Sequence, residues 1–333
     1  MTKIRVGING FGRIGRYVTR LCINHPTIEL VAINDKAPIE TLVHLLKYDS
    51  VHGKLPFNCQ IKGDTLLVNS KEIKFTQFSS PSEIPWKELD VDFVIESTGL
   101  FLSKEFAEMH IQAGAKKVIL SAPSISEEIP TIVLGVNEKQ LTKNDLIVSN
   151  ASCTTNSAAP LIKVLKGICS IESAYITTVH SYTTDQRLHD SPHKDLRRAR
   201  AAAQSIVPTT TGAAKAITRI FPDLKDHIGG CGMRVPVPDG SLTDITLIVK
   251  DEITVEEINS AFEKAANNEL KGILEYTNDP IVSVDVLGNS HSSLFDSELT
   301  SVVGRMVKVV AWYDNEAGYS NRLVNLIEYM DQL

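Results

Sequence analysis

Residues 4–15 read IRVGINGFGRIG, with Gly10, Gly12 and Gly15 spaced as G-x-G-x-x-G directly behind the apolar run Ile4–Asn9. In such a turn the first glycine permits a tight reversal, the second lets the backbone approach a pyrophosphate, and the third admits close helix packing. A helix opening at Arg13 and Ile14 adds the partial positive charge of its N-terminus. Three glycines in an ordinary strand-to-helix turn would read the same in isolation. The setting narrows the choice, because Asp35 follows at the end of the next apolar run, at the distance that the dinucleotide fingerprint requires. A carboxylate there accepts from ribose hydroxyls and repels a 2′-phosphate, which favours NAD over NADP. A helix N-cap is the plainer role for the same aspartate.

Outward from this turn, short apolar runs alternate with helical periodicity. Strands are expected at residues 4–9, 30–34, 93–97, 117–121 and 146–149, and helices at 13–24 and 104–113. That alternation predicts a Rossmann-type, doubly wound, mostly parallel sheet. Beyond residue 150 the pattern changes. Strand-like runs at 173–180, 241–249 and 301–312 carry alternating or β-branched residues, with helices expected at 154–166, 213–220 and 255–266. This predicts an α+β domain on a mixed or antiparallel sheet. The expected division is 1–150 for the dinucleotide-binding domain and 151–315 for the catalytic domain. A closing helix within 316–333 is expected to pack back on the first domain.

The second decisive stretch is residues 149–156, SNASCTTN, which follows an apolar strand and precedes a helical run. Cys153 is thereby placed near a helix N-terminus, where the dipole and backbone N–H groups favour a thiolate and lower its pKa. The same N–H groups suit an oxyanion. Ser152, Thr154 and Thr155 suit capping or phosphate binding. A lone cysteine in a capping turn is ordinarily inert packing. His180, at the end of the next long strand, supplies a candidate general base. The other thiols, Cys22, Cys59, Cys169 and Cys231, read as packing residues.

Two polar clusters suit anions. One runs from His180 through Thr183 and Asp185 to the basic run Lys194, Arg197, Arg198 and Arg200. The other is PTTTG at 208–212, with Thr211 and Gly212 immediately before a helix. Arg197 and Arg234 can add charge-assisted bonds to phosphate. Each cluster alone reads as a solvated loop or cap. Their coincidence with the thiol and the glycine turn favours phosphate.

Composition restricts the alternatives. A net charge of -6 over 333 residues argues against a nucleic-acid partner. No apolar stretch approaches the ~20 residues of a membrane span, and no signal-peptide pattern opens the chain. Five scattered cysteines without a C-x-x-C pair fit neither a disulfide framework nor a structural zinc site, so no metal is expected and a reducing cytoplasm is.

The motifs together resemble the glyceraldehyde-3-phosphate dehydrogenase family. INGFGRIGR (8–16), KYDSVHG (47–53), ESTGLF (96–101), SNASCTTN (149–156), HKDLRRARAAA (193–203), PTTTGAAKA (208–216) and WYDNEAGYSNR (312–322) run in family order from end to end. The resemblance implies Cys153 as nucleophile and His180 as its base. It implies Thr183 and Arg234 at the substrate's phosphate, with Asp185 and Arg197 nearby. Inorganic phosphate would use Ser152, Thr154, Thr211 and Gly212. NAD would meet Arg13, Ile14, Asp35, Ser121 and Asn315, beside the three glycines. It also implies oxidation of glyceraldehyde 3-phosphate through a hemithioacetal and a thioester, and a homotetramer. Erythrose-4-phosphate dehydrogenase is the near alternative. A Cys–His hydrolase or acyltransferase without redox chemistry is the distant one. Three departures stand out: Ser157 replaces a second cysteine, Ala317 a tryptophan, and Ser79 an arginine expected against the adenosine.

Overall fold

The computed structural model describes residues 3–333. Two compact units divide them: Met1–Ile132 with Glu138–Ala151 and Ser320–Leu333, and Val133–Asn137 with Ser152–Tyr319.

The first unit is built on an eight-stranded sheet. Its elements begin with β1 (Ile4–Asn9), α1 (Arg13–Cys22), β2 (Ile28–Asn34), α2 (Ile39–Lys47) and a small ribbon of β3 (Tyr48–Asp49) with β4 (Gly53–Lys54). They continue with β5 (Cys59–Lys62), β6 (Thr65–Val68), β7 (Lys71–Thr76), β8 (Phe93–Glu96), α3 (Lys104–Gln112), β9 (Lys117–Leu120) and β10 (Ile147–Ser149). The order across the sheet is β10-β9-β8-β1-β2-β7-β6-β5. From β10 to β7 every pair is parallel, and β5 to β7 form an antiparallel meander at one edge. β1 and β8 are buried along almost their whole length, as parallel strands covered on both faces must be. One side of the core closes on α3 through Trp86, Val94, Ala107, Val118 and Leu120. The doubly wound expectation holds. The meander was not expected; β5 is largely exposed, while β6 is only four residues long and β7 carries two lysines and a glutamate among its apolar residues.

The second unit opens with α4 (Cys153–Ile168), then β11 (Ile171–Ser181), β12 (Val207–Thr209), α5 (Ala213–Ile220), β13 (Ile228–Val235) and β14 (Ser241–Val249). α6 (Val255–Asn267), β15 (Leu274–Thr277), β16 (Ser293–Asp296), β17 (Ser301–Val303) and β18 (Met306–Tyr313) complete it. α7 (Ala317–Asp331) ends the chain. The sheet runs β12-β13-β11-β14-β18-β16-β15, with β17 on β18. β11 pairs parallel with β13 and antiparallel with β14, so this sheet is mixed, as expected. β14 alternates buried and half-buried residues without a break, the signature of one covered face. The single run expected over residues 301–312 is two strands, divided by a turn in which Gly304 takes φ 57°. β13 escaped the sequence reading because IGGCGMRV is too rich in glycine to look like a strand.

Candidate active site and dinucleotide cavity

In the first unit the glycine turn does what its spacing predicts. Gly10 has φ 96°, and a Cβ there would lie 2.6 Å from the Thr98 backbone nitrogen. A Cβ on Gly15 would lie 2.2 Å from the Gly10 carbonyl oxygen, so the helix packs on the turn only without a side chain. Around Gly12 the space is open, and that residue caps α1 with no side chain. Here the turn borders a cavity of about 270 Å³, lined among others by Gly10, Gly12, Asp35, Phe78, Thr98 and Leu100. The carboxylate of Asp35 is fixed by backbone donors, Phe11 N at 2.7 Å and Ala37 N at 2.9 Å. Lone pairs remain on both oxygens for further donors.

A dinucleotide fits these residues. An uncapped helix start faces open space, an oriented carboxylate stands at the strand end, and Phe78 and the 70% exposed Leu100 offer apolar walls to a flat ring. The side chain of Arg13 is committed elsewhere, to Asp49 at 2.5 Å. Burial pushes Asp49 up, but the His52 and Val51 N–H groups and Arg13 outweigh it and hold its pKa at about 2. What Arg13 and Ile14 offer an anion is therefore the helix start itself. Ser121 follows β9 and donates its backbone N–H to the Glu96 carbonyl at 2.9 Å. Ser79 is exposed and lines the cavity.

In the second unit α4 begins at Cys153, one residue earlier than expected, with Ser152 as its N-cap. The Ser152 hydroxyl accepts from Thr155 N at 3.1 Å. Just before it, Ala151 takes φ 55°, a left-handed turn costly for a residue with a side chain. Register then assembles the rest. His180 on β11 stands opposite Arg234 on β13, and Ser241 on β14 stands opposite Tyr313 on β18.

The Cys153 sulfur lies 3.4 Å from His180 Nε2. On the other side of the ring, His180 Nδ1 is 2.7 Å from the Ser181 carbonyl and 2.7 Å from Arg234 Nη1. Arg234 also donates to that carbonyl at 2.9 Å. A guanidinium is only a donor, and the carbonyl has two lone pairs, so both Nδ1–H and Arg234 can donate to it. Nδ1 thus faces both an acceptor, the Ser181 carbonyl, and a donor, Arg234 Nη1; with its proton directed to the carbonyl, Nε2 is an acceptor facing the thiol. Burial, with Arg234 second, lowers the pKa of His180 to about 3, so the ring is neutral at pH 7.

The thiol departs from the sequence expectation. Its pKa is raised, because burial outweighs the opposing influences of Arg234 and Thr154. The helix N-terminus is present but does not overcome desolvation. Burial thus works against charge on both the thiol and the imidazole.

Thr154 is buried, and its hydroxyl is 3.0 Å from the Tyr313 hydroxyl, which in turn lies 2.9 Å from Thr178 Oγ1. Both the backbone N–H and the side chain of Thr154 also act on the Cys153 thiol, and each favours its charged form. The His180 ring meets Tyr313 edge to face at 5.9 Å. Asn315 is oriented by two hydroxyls, since its Oδ1 accepts from Ser181 Oγ at 2.9 Å and Ser241 Oγ at 2.7 Å. Its amide donors consequently point away from them. Ser157 is buried against Thr243 Oγ1 at 2.9 Å, so hydroxyls fill the position of the expected second cysteine. Ala317 is fully buried at the start of α7.

The basic run resolves differently from its expected form. The guanidinium set against Asp185 belongs to Arg198, whose Nε and Nη2 also donate to Thr209 Oγ1 at 2.9 and 2.7 Å. Arg197 is exposed and joins Asp195 only through its backbone N–H. Burial raises Asp185, but Arg198 prevails and leaves its carboxyl below the ordinary range. Thr183 N reaches Gln186 Oε1 at 3.4 Å, and Thr211 Oγ1 accepts from Ala213 N at 3.2 Å as α5 opens. Sequence reasoning did not single out Arg198 within its basic run, and it missed Tyr313, Ser181 and Ser241. Only the pairing of β11, β13, β14 and β18 explains the last three. Arg198 was visible as one of two adjacent arginines, with nothing to say which turned inward.

Comparison with known proteins gives the family. Residues 4–104 match the glyceraldehyde 3-phosphate dehydrogenase NAD binding domain, and residues 152–315 match the C-terminal domain of the same family. The chain is 54% identical over 329 residues to glyceraldehyde-3-phosphate dehydrogenase of Geobacillus stearothermophilus, covering 98% of each chain. To the enzyme of that name from Thermotoga maritima it is 55% identical, and to glyceraldehyde-3-phosphate dehydrogenase 1 of Bacillus subtilis 51%, again over 98% of each chain. With both domain models matched and such identity along nearly its whole length, the chain belongs to the glyceraldehyde-3-phosphate dehydrogenase family of NAD-dependent oxidoreductases.

Proposed function

We propose that the protein oxidises glyceraldehyde 3-phosphate to 1,3-bisphosphoglycerate, using NAD and inorganic phosphate, through a thioester on Cys153. The observation that carries this reading is the Cys153 sulfur 3.4 Å from an imidazole nitrogen that is neutral and free to accept a proton.

Sγ attacks the aldehyde carbon as the thiol proton passes to Nε2 and on to the carbonyl oxygen, giving a hemithioacetal. The raised thiol pKa means that deprotonation accompanies attack rather than preceding it. Bound NAD supplies the hydride acceptor. As the adduct becomes a thioester, its hydroxyl proton goes to His180. A phosphate oxygen then attacks the thioester carbon, the carbon–sulfur bond breaks, and His180 returns the proton to the departing sulfur. The thioester preserves the free energy of oxidation, which a carboxylate would lose.

Arg234, with Thr183, suits the substrate's phosphate, whose charge would also ease proton uptake by the adjacent ring. The openings of α4 and α5, at Ser152, Thr154, Thr211 and Gly212, suit inorganic phosphate, while Asp185 and Arg197 belong near the substrate's phosphate. Leu188, Leu196 and Ile206, 75%, 82% and 69% exposed, favour burial between copies in a homotetramer. Unpaired cysteines at all five positions favour the cytoplasm.

A matrix assay of NAD or NADP, with and without phosphate, on glyceraldehyde 3-phosphate tests the proposal. NADH formation is expected to require phosphate for sustained turnover. Turnover on erythrose 4-phosphate that ignores phosphate would replace it with the hydrolytic alternative.

A further inference from the structure

We infer that Glu96, which lies at the end of β8 and was assigned no role above, is a positioning residue for the dinucleotide cavity. Its buried carboxylate ties together the two loops that line that cavity. The inference rests on reading the cavity as the NAD site.

Glu96 is completely buried and accepts from four donors: His110 Nε2 at 3.0 Å and Asn9 Nδ2 at 2.6 Å on one oxygen, Thr98 N at 2.8 Å and Thr98 Oγ1 on the other. The tautomer of His110 follows from its second partner. Trp86 Nε1 lies 3.0 Å from His110 Nδ1, and an indole N–H can only donate. Nδ1 must accept, so the ring is neutral and its one proton sits on Nε2, aimed at Glu96. Among the described residues, the partners that hold this carboxylate are hydrogen-bond donors without a charge. It is held by hydrogen bonds alone, an arrangement that is costly to bury unless every donor is in place.

The donors continue outward. Asn9 must turn its amide nitrogen to Glu96, which leaves its Oδ1 to accept from Asn34 Nδ2 at 2.8 Å. Asn34 in turn donates to Phe78 O at 3.1 Å, and its Oδ1 accepts from Phe78 N at 2.8 Å and Thr76 Oγ1 at 2.9 Å. From Trp86 on one side and Thr76 on the other, the side-chain donors all point toward one carboxylate. The direct branch holds Thr98, next to Ser97, whose hydroxyl donates to the Gly10 carbonyl at 2.7 Å. The relayed branch holds Phe78, next to Ser79. Thr98, Phe78, Ser79 and Gly10 all line the cavity. Through one charge, the glycine turn, the loop after β8 and the loop after β7 share a single hydrogen-bonded frame.

Glu96→Gln tests this directly. The amide has one acceptor oxygen and a donor nitrogen, so at least one pair of inward-pointing donors meets another donor in either orientation. Calorimetric Kd for NAD is expected to rise about tenfold in protein that urea titration shows to be folded. Thr76→Val is the gentler variant, nearly isosteric and not itself part of the cavity wall. It should raise the Kd about two- to threefold. Lowered urea midpoints with unchanged Kd in both variants would reduce Glu96 to a purely structural role and overturn the inference. Asp35→Ala separates the two ideas. If it binds NAD as the wild type does, the cavity reading has failed. If it binds weakly while both network variants bind normally, only the role of Glu96 has failed.

Discussion

The dinucleotide cavity and the thiol site solve their chemistry in different ways. The cavity rests on local backbone geometry: a turn that only glycines can take, a helix start, and a carboxylate fixed by two N–H groups. Its lining comes from short stretches, residues 9–12, 34–36, 78–79 and 97–101. The thiol site is made of side chains delivered from α4, β11, β13 and β18, and its central contact joins residues 27 positions apart. The Arg234 contact spans 54 positions. Local backbone geometry leaves a fingerprint in the sequence; sheet register leaves almost none.

The largest effect should separate the two regions outright. Cys153→Ser is expected to cut turnover by about four orders of magnitude or more while NAD affinity measured by calorimetry stays within twofold. Substantial turnover in that variant would remove the thiol from the mechanism.

His180→Asn comes next, with turnover lowered about 10²–10⁴-fold, read by steady-state kinetics. The wild-type thiol gives a sharper test of the effect of burial. Its alkylation by iodoacetamide, without substrate, should climb through pH 9 with no plateau between pH 5 and 7, because burial raises the thiol and keeps the ring uncharged. A plateau there would mean a preformed ion pair. The same burial gives stability a sign. His180 has a folded pKa of about 3, below the ordinary 6.5, so the unfolded chain takes up the proton first. Stability should be full above pH 6.5 and fall as pH drops toward 3, by at most about 1.4 kcal/mol per pH unit from this group. His180→Asn should lose that part of the acid dependence in urea titrations.

Gly15→Ala should have the smallest consequence for chemistry and a clear one for folding. The added methyl would meet the Gly10 carbonyl at 2.2 Å, and the helix must shift. A loss of about 1–3 kcal/mol in urea unfolding is expected, with weaker NAD binding and unchanged Cys153 alkylation. Altered alkylation would show that the two regions do not respond separately to a change in the turn.

Much of the fold was readable because burial patterns follow periodicity. The parallel strands are near-continuous apolar runs, and β14 alternates residue by residue. The β5–β7 meander and β13 were not readable, since β5 is largely exposed, β6 is short, and half of β13 is glycine and cysteine. At the site, Cys153 and His180 announced themselves as a capped thiol and a strand-end histidine. The direction of the thiol's pKa did not, since a helix start is visible in sequence but the depth of burial that outweighs it is not.

The sequence by itself determined the glycine turn, the acidic residue at the end of the next strand, the cysteine at a helix start and the family, because these depend on residue type at short, fixed spacing. Only the tertiary structure decided which arginine turns toward Asp185, that burial raises the thiol's pKa, and that Glu96 gathers donors from both sides. Each of those outcomes depends on what surrounds a side chain after distant strands pair, and electrostatics acts through that enclosure rather than along the chain.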